Sequence, residues 1–172
     1  MKGLIHIYCG DGKGKTTAAV GLSVRAAGAG KKVIFTQFFK DGSSSEIGML
    51  RGMSNITVCH CQTVRGFFRN MSADERARAA ADYGRLFEDV CALARDVDLL
   101  VLDEIISACN TGVVDEEAVR GFLANKPDGL EVVLTGRNPS EPLLALADYV
   151  TEMKKIRHPY DRGVLARRGI EF

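Results

Sequence analysis

Tryptophan is absent from this sequence of 172 residues, and aromatic residues make up only 7% of it. Charge of one sign is also lacking in excess: Lys+Arg 23 against Asp+Glu 22 leaves a net +1. That balance argues against a chain built mainly to coat nucleic acid or acidic lipid. No apolar run approaches the ~20 residues that span a bilayer, so no membrane partner is expected. The opening Leu4-Ile5-His6-Ile7-Tyr8 is too short an apolar run for a signal peptide. The five cysteines are odd in number and too few for a disulfide scaffold in a chain of this length. A reduced, cytoplasmic setting is the natural reading. Cys59-His60-Cys61 has no second pair at zinc-ligand spacing and reads as a strand with buried thiols.

What is present is an ordinary globular composition, 46% hydrophobic and 26% charged, with a length suited to one domain over residues 1–172. Glycine is the outlier, 18 residues or about 10% against a usual ~7%. Short apolar runs alternate with helical patterns. Strands are expected at Leu4–Cys9, Val33–Phe39, Ile56–Cys61, Leu99–Leu102, Glu131–Leu134 and Tyr149–Met153. Helices are expected at Lys15–Ala29, from Ser72 to Asp96 behind a capping box, at Asp115–Asn125 and at Ser140–Ala147. The stretch Lys40–Gly52 reads as loop. Leu99–Leu102 is apolar on both faces, which belongs in the middle of a parallel sheet. Strands separated by helices mean βαβ units and an α/β fold. The basic tail from Lys154 is either a solvated surface or an anion-facing segment beside a site.

The strongest signal is Gly10-Asp11-Gly12-Lys13-Gly14-Lys15-Thr16-Thr17, between an expected strand and an expected helix. Glycines let backbone N–H groups turn inward on a phosphate chain, and the helix N-terminus adds partial positive charge. Lys15 places a charge on the phosphates, and the Thr16 hydroxyl can hold Mg²⁺. The usual G-x-x-x-x-G-K-[ST] spacing is one residue shorter here, since Cys9 stands where the first glycine should be. Asp11 must point outward or cap the turn, or it would oppose anion binding.

Val101-Leu102-Asp103-Glu104, a strand ending in acids, supplies what a phosphate-bound Mg²⁺ needs from a neighbouring strand. Glu104 is favoured as the direct or water-mediated ligand with Asp103 behind it, though the two roles can be exchanged. Thr135-Gly136-Arg137 puts a guanidinium at the carboxyl edge of the sheet, where open α/β sheets bind ligands. From spacing alone it is equally a surface arginine. Arg25, near a helix C-terminus, reads as a surface charge.

Together with the ending His158-Pro159-Tyr160-Asp161-Arg162-Gly163 through Gly169-Ile170-Glu171-Phe172, these motifs make the chain resemble a P-loop ATP:corrinoid adenosyltransferase over residues 3–172. The compressed Gly-x-Gly-Lys-Gly-Lys-Thr-Thr loop is the most specific mark. The resemblance implies a RecA-like, predominantly parallel sheet flanked by helices on both faces, and a homodimer. It implies transfer of the 5′-deoxyadenosyl group of ATP to a Co(I) corrinoid, with triphosphate leaving, in biosynthesis or salvage of adenosylcobalamin. ATP would lie reversed in the loop. Residues 10–17 would cradle the triphosphate, Lys15, Thr16 and Glu104 would serve catalysis, and Thr16, Glu104 and Asp103 would serve Mg²⁺. Arg25 and Arg137 would touch the nucleotide. A reduced flavoprotein is the kind of electron donor implied.

The same resemblance places Phe67, Phe68 and Arg69 under the corrin, where aromatics help strip the lower axial ligand of cobalt. Arg69 departs from the aromatic that is common there. Some relatives carry a basic helical extension ahead of the first strand. Here the sequence opens on that strand, so the site is either more open or covered by a partner or another loop. Two other functions share these residues: a small P-loop kinase or hydrolase, and a nucleotide- or corrinoid-binding module without turnover. The first would need a base or water-positioning group near the terminal phosphate.

Overall fold

The computed structural model describes residues 2–40, 42–61 and 71–172. Six strands form one parallel sheet: β1 Ile5–Cys9, β2 Val33–Gln37, β3 Ile56–His60, β4 Leu99–Asp103, β5 Glu131–Thr135 and β6 Tyr149–Glu152, in spatial order β3-β2-β4-β5-β1-β6. The helices are α1 Lys15–Gly28, α2 Ser45–Arg51, α3 Ala73–Leu93, α4 Ile105–Asn110, α5 Glu116–Ala124 and α6 Glu141–Leu144.

Alternation along the strands decides the two faces of the sheet. Leu100 and Leu102 of β4 join Ile5, Ile7, Val132 and Leu134 in a core that also takes Tyr83, Phe87 and Val90 of α3 and Val119 of α5. Leu99 and Val101 point the other way, with Phe35 and Val133, onto Ala19 and Ala26 of α1 and onto Ile47 and Leu50 of α2. All five residues of β2 and of β4 are buried, as central strands covered on both faces require. The edge strand β6 is exposed throughout.

The Ser72 cap forms as read: its hydroxyl accepts from Glu75 N–H, and the Glu75 carboxylate reaches back to Ser72 N–H. Asp115 and Ser140 likewise cap α5 and α6. The stretch read as loop over residues 40–52 instead holds α2. Glu46 lies in its first turn, Arg51 in its last, and Ile47 and Leu50 fall on one buried face. A serine-rich lead-in hid a two-turn helix whose stability comes from that burial. The short helix α4, directly after β4, carried no helical signal of its own because its apolar run is too brief. Strand β2 ends at Gln37 rather than Phe39, since Phe39 takes a left-handed φ of 58°.

Candidate nucleotide site

Strand order brings the chemistry together. Tyr8 of β1 is in register with Thr135 of β5, and Leu134 of β5 with Leu102 of β4. Gln37 of β2 is in register with Asp103 of β4. The carboxyl ends of β1, β5, β4 and β2 therefore meet at one edge, where open parallel sheets bind ligands.

From β1 the chain enters the glycine loop. Gly10 and Gly14 have φ of 97° and 116°, which L side chains avoid. The glycines answer a second demand. A Cβ on Gly12 would lie 2.4 Å from the Met153 carbonyl oxygen, and one on Gly10 2.7 Å from it. Gly12 N–H donates to that oxygen at 2.6 Å, and Met153 N–H donates to Cys9 O at 2.8 Å. The loop is thus stitched to the chain leaving β6. At its end Gly14 begins α1 with no side-chain cap and no acid in the first turn, so the helix N-terminus keeps its positive end open to an anion.

Lys15 is only 8% exposed. Its ammonium donates to the carbonyls of Gly10 at 2.7 Å and Gly12 at 2.9 Å, folded back into its own loop. Burial lowers its pKa from the ordinary lysine value, the nearby Glu104 charge opposing that shift. Asp11 points outward, as the sequence demanded, and pairs with Arg137 at 3.7 Å. The Arg137 carbonyl accepts from Asn110 of α4 at 2.7 Å, which ties the Gly136 turn to that helix. Gly136 is needed there: a Cβ would stand 2.7 Å from the Ile106 Cβ and 2.9 Å from Ser107 N.

Asp103, 0% exposed, is the hub. Its Oδ1 accepts from the Thr16 hydroxyl at 2.9 Å and the Thr135 hydroxyl at 2.8 Å. Its Oδ2 accepts from Lys40 Nζ at 3.1 Å and Gln37 Nε2 at 3.3 Å. Asp103, and not Glu104, thus meets Thr16; the sequence favoured Glu104 as the ligand with exchange of the two roles open. The reason is local: Asp103 is the last residue of β4, whereas Glu104 turns into a left-handed φ of 64° to start α4. Glu104 N–H donates to Thr135 Oγ1 at 2.8 Å, and its carboxylate accepts from Ser107 at 2.6 Å. Thr16 Oγ1 and Asp103 form an oxygen donor set suited to a hard cation, and the Lys40 ammonium lies against both, 3.4 Å from Thr16 Oγ1.

Lys40, Gln37 and Ser107 were not singled out from sequence. A polar Thr36-Gln37 pair at the end of an apolar strand is the signal that could have found Gln37, and a lysine just beyond the same strand Lys40. Thr17 lines a cavity of about 370 Å³ with Thr16, Lys40, Ser45 and residues 169–172, so the end of the tail lies beside the loop. Ser45 Oγ donates to the Phe172 backbone oxygen at 3.0 Å, fastening α2 to that tail. Lys13 borders a second cavity of about 560 Å³ with Lys154, Arg157 and Arg167. Arg25 is exposed and lies ten residues along α1 from Lys15, a backbone rise of about 15 Å at ~1.5 Å per residue, with its charge acting on Tyr8 at the end of β1. Phe67, Phe68 and Arg69 lie outside the described residues.

The fold resembles that of the solved EssC, ATPases 2 and 3, from Geobacillus thermodenitrificans, with a TM-score of 0.54 at 13% identity over 97% of this chain and 35% of that one. Sequence relatives are closer in kind. A corrinoid adenosyltransferase of Sinorhizobium sp is 37% identical over 99% of this chain and 81% of its own length. The corrinoid adenosyltransferase CobA of Salmonella typhimurium is 33% identical over 99% and 86%. That of Pseudomonas aeruginosa is 32% identical over 99% and 84%. Residues 1–172 match the family described as ATP:corrinoid adenosyltransferase BtuR/CobO/CobP, and with the compressed phosphate loop set against a buried strand-end acid, the chain belongs to that family.

Proposed function

We propose that this chain, as one domain over residues 1–172, transfers the 5′-deoxyadenosyl group of ATP to a Co(I) corrinoid at the carboxyl edge of its sheet and releases triphosphate. The observation that carries the reading is the compressed loop with Lys15 buried in it and Thr16 bonded to Asp103. Residues 10–17 hold the triphosphate through backbone N–H groups and the α1 N-terminus. Lys15 leaves the Gly10 and Gly12 carbonyls for the phosphates and neutralises charge growing on the leaving group. Arg137, now held by Asp11, lies within reach of the same edge. Phe67, Phe68 and Arg69 face the corrin on the strength of the family resemblance.

Thr16 and Asp103 hold Mg²⁺, with Glu104 and its Ser107 partner beside them. When bound, the metal supplies charge stabilisation and fixes the orientation of the phosphate chain. Co(I) is the nucleophile: a Co–C5′ bond forms, the C5′–O bond breaks, and the electron pair leaves on triphosphate. No protein base is required, so catalysis rests on in-line positioning and on electrostatic stabilisation of the departing anion. A reduced flavoprotein supplies the electron that makes Co(I), the active form is a homodimer, and the setting is the cytoplasm. Among the described residues no helix is long and apolar enough to cross a membrane.

The test is anaerobic incubation with MgATP and chemically reduced corrinoid. Formation of a light-sensitive Co–C bond together with triphosphate is expected. ADP and orthophosphate with unaltered corrinoid would instead indicate a hydrolase.

A further inference from the structure

We propose that Lys40 occupies the place of the metal in the nucleotide-free protein and moves onto the phosphate chain when the metal–nucleotide complex arrives. This rests on the reading of Thr16 and Asp103 as metal-holding residues. Asp103 is 0% exposed, and among the described residues its ion-pair partner is Lys40, whose side chain is 29% exposed. A buried carboxylate requires such a counter-charge. The Lys40 ammonium contacts both oxygens a hard cation would take, Asp103 Oδ2 at 3.1 Å and Thr16 Oγ1 at 3.4 Å. A divalent ion and an ammonium cannot share that space, because like charges at such separation repel strongly in a half-buried site.

The surroundings let the ammonium move while its backbone stays. Lys40 follows the left-handed Phe39, whose N–H donates to the Tyr83 hydroxyl at 3.0 Å. Tyr83 is itself buried on α3. The side chain borders the 370 Å³ cavity over Thr16 and Thr17, which gives it room beside the loop that takes the phosphates. When Lys40 leaves, Gln37 Nε2 still holds Asp103 Oδ2, so the acid stays oriented for the incoming ion. In the nucleotide-free protein Lys15 does not hold Asp103, since its ammonium is turned onto the carbonyls of Gly10 and Gly12.

Metal binding and nucleotide binding are therefore coupled through one side chain. Metal alone must expel Lys40 with no anion to receive it, whereas metal with ATP supplies that anion. Expressed as linkage, ATP raises metal affinity, and part of that factor belongs to Lys40.

The experiment measures Mn²⁺ binding by electron paramagnetic resonance, with metal alone and with ATP, in wild type, Lys40→Gln, Lys40→Arg and Thr16→Ala. Lys40→Gln is expected to bind Mn²⁺ alone roughly tenfold more tightly and to lose most of the enhancement by ATP. Lys40→Arg, which keeps the charge, is expected to stay near wild type. Circular dichroism checks that each variant is folded, and Lys40→Met replaces Lys40→Gln if the latter is not. Wild-type Mn²⁺ binding and ATP coupling in folded Lys40→Gln or Lys40→Met overturns the proposal. If Thr16→Ala binds Mn²⁺ with ATP as well as wild type, the metal reading itself falls, and this inference with it.

Discussion

Thr135 sits at the centre of the site, and its replacement by valine gives a sharp test of how the two acids are held. The hydroxyl donates to Asp103 Oδ1 and accepts from Glu104 N–H, each at 2.8 Å. Thr135 is fully buried. Valine keeps the shape and removes both bonds. Loss of a hydrogen bond to a charged acceptor costs ~1.5–3 kcal/mol, and a stranded backbone donor ~1–3 kcal/mol. Glu104 is half-buried, so water recovers part of the second cost. The left-handed turn at Glu104 also costs ~1–2 kcal/mol intrinsically and loses the bond that holds it. A destabilisation of about 3 kcal/mol is expected, or roughly 6–12 °C in Tm for a chain of this size. Urea titration and thermal melting would measure it, with Thr135→Ser as the control that keeps the hydroxyl and deletes only a methyl. Transfer activity should fall in step, because Asp103 loses a donor that orients it towards Thr16. A Thr135→Val loss under about 1 kcal/mol, or one no larger than that of Thr135→Ser, would refute the reasoning.

Lys15→Ala should lower turnover ~10²–10³-fold, as expected for loss of an electrostatic contact to a leaving group, while the melting temperature moves little. Unchanged turnover would sink the assignment of the loop. Gly12→Ala should cost ~1–3 kcal/mol, because its Cβ would meet the Met153 carbonyl oxygen at 2.4 Å, backbone that no side-chain rotation can clear. Gly21→Ala, in open space within α1, should instead stabilise by ~0.5–1 kcal/mol, and melts that shift both variants the same way contradict the geometry. Burial pushes the thiols of Cys91 and Cys109 up to about 12, and the Tyr83 phenol also to about 12. Between roughly pH 9 and 12 the unfolded chain therefore binds fewer protons than the folded one. Stability is full below pH 9 and falls as pH rises, with a slope of at most ~1.4 kcal/mol per pH unit for each group. Denaturant midpoints that hold steady to pH 11 would contradict that burial.

Much of this site was legible because its signals are local. The phosphate loop needs left-handed glycines followed at once by a helix start, and both demands fall within a few consecutive residues. The acids at the end of β4 were equally visible, since an all-apolar strand that breaks into carboxylates announces a sheet edge. Asp11 was constrained by charge alone, and the structure turns it outward onto Arg137. Arg25 was carried to the nucleotide only by resemblance, because a charge ten residues into α1 carries no local signal of a ligand.

The sequence by itself determined the alternation of strands and helices, because hydrophobic periodicity is a property of neighbouring residues. It also marked where an anion can be held, because glycines directly ahead of a helix start are a local pattern. Tertiary structure alone decided which acid meets Thr16. That choice follows from inserting β5 between β1 and β4, which carries Thr135 to Asp103, and from the left-handed turn that sends Glu104 elsewhere. It decided the place of Lys40 and Gln37 as well. Both come from β2 and its exit, distant in sequence from the loop, and they reach Asp103 because β2 pairs with β4 in a register no local pattern encodes.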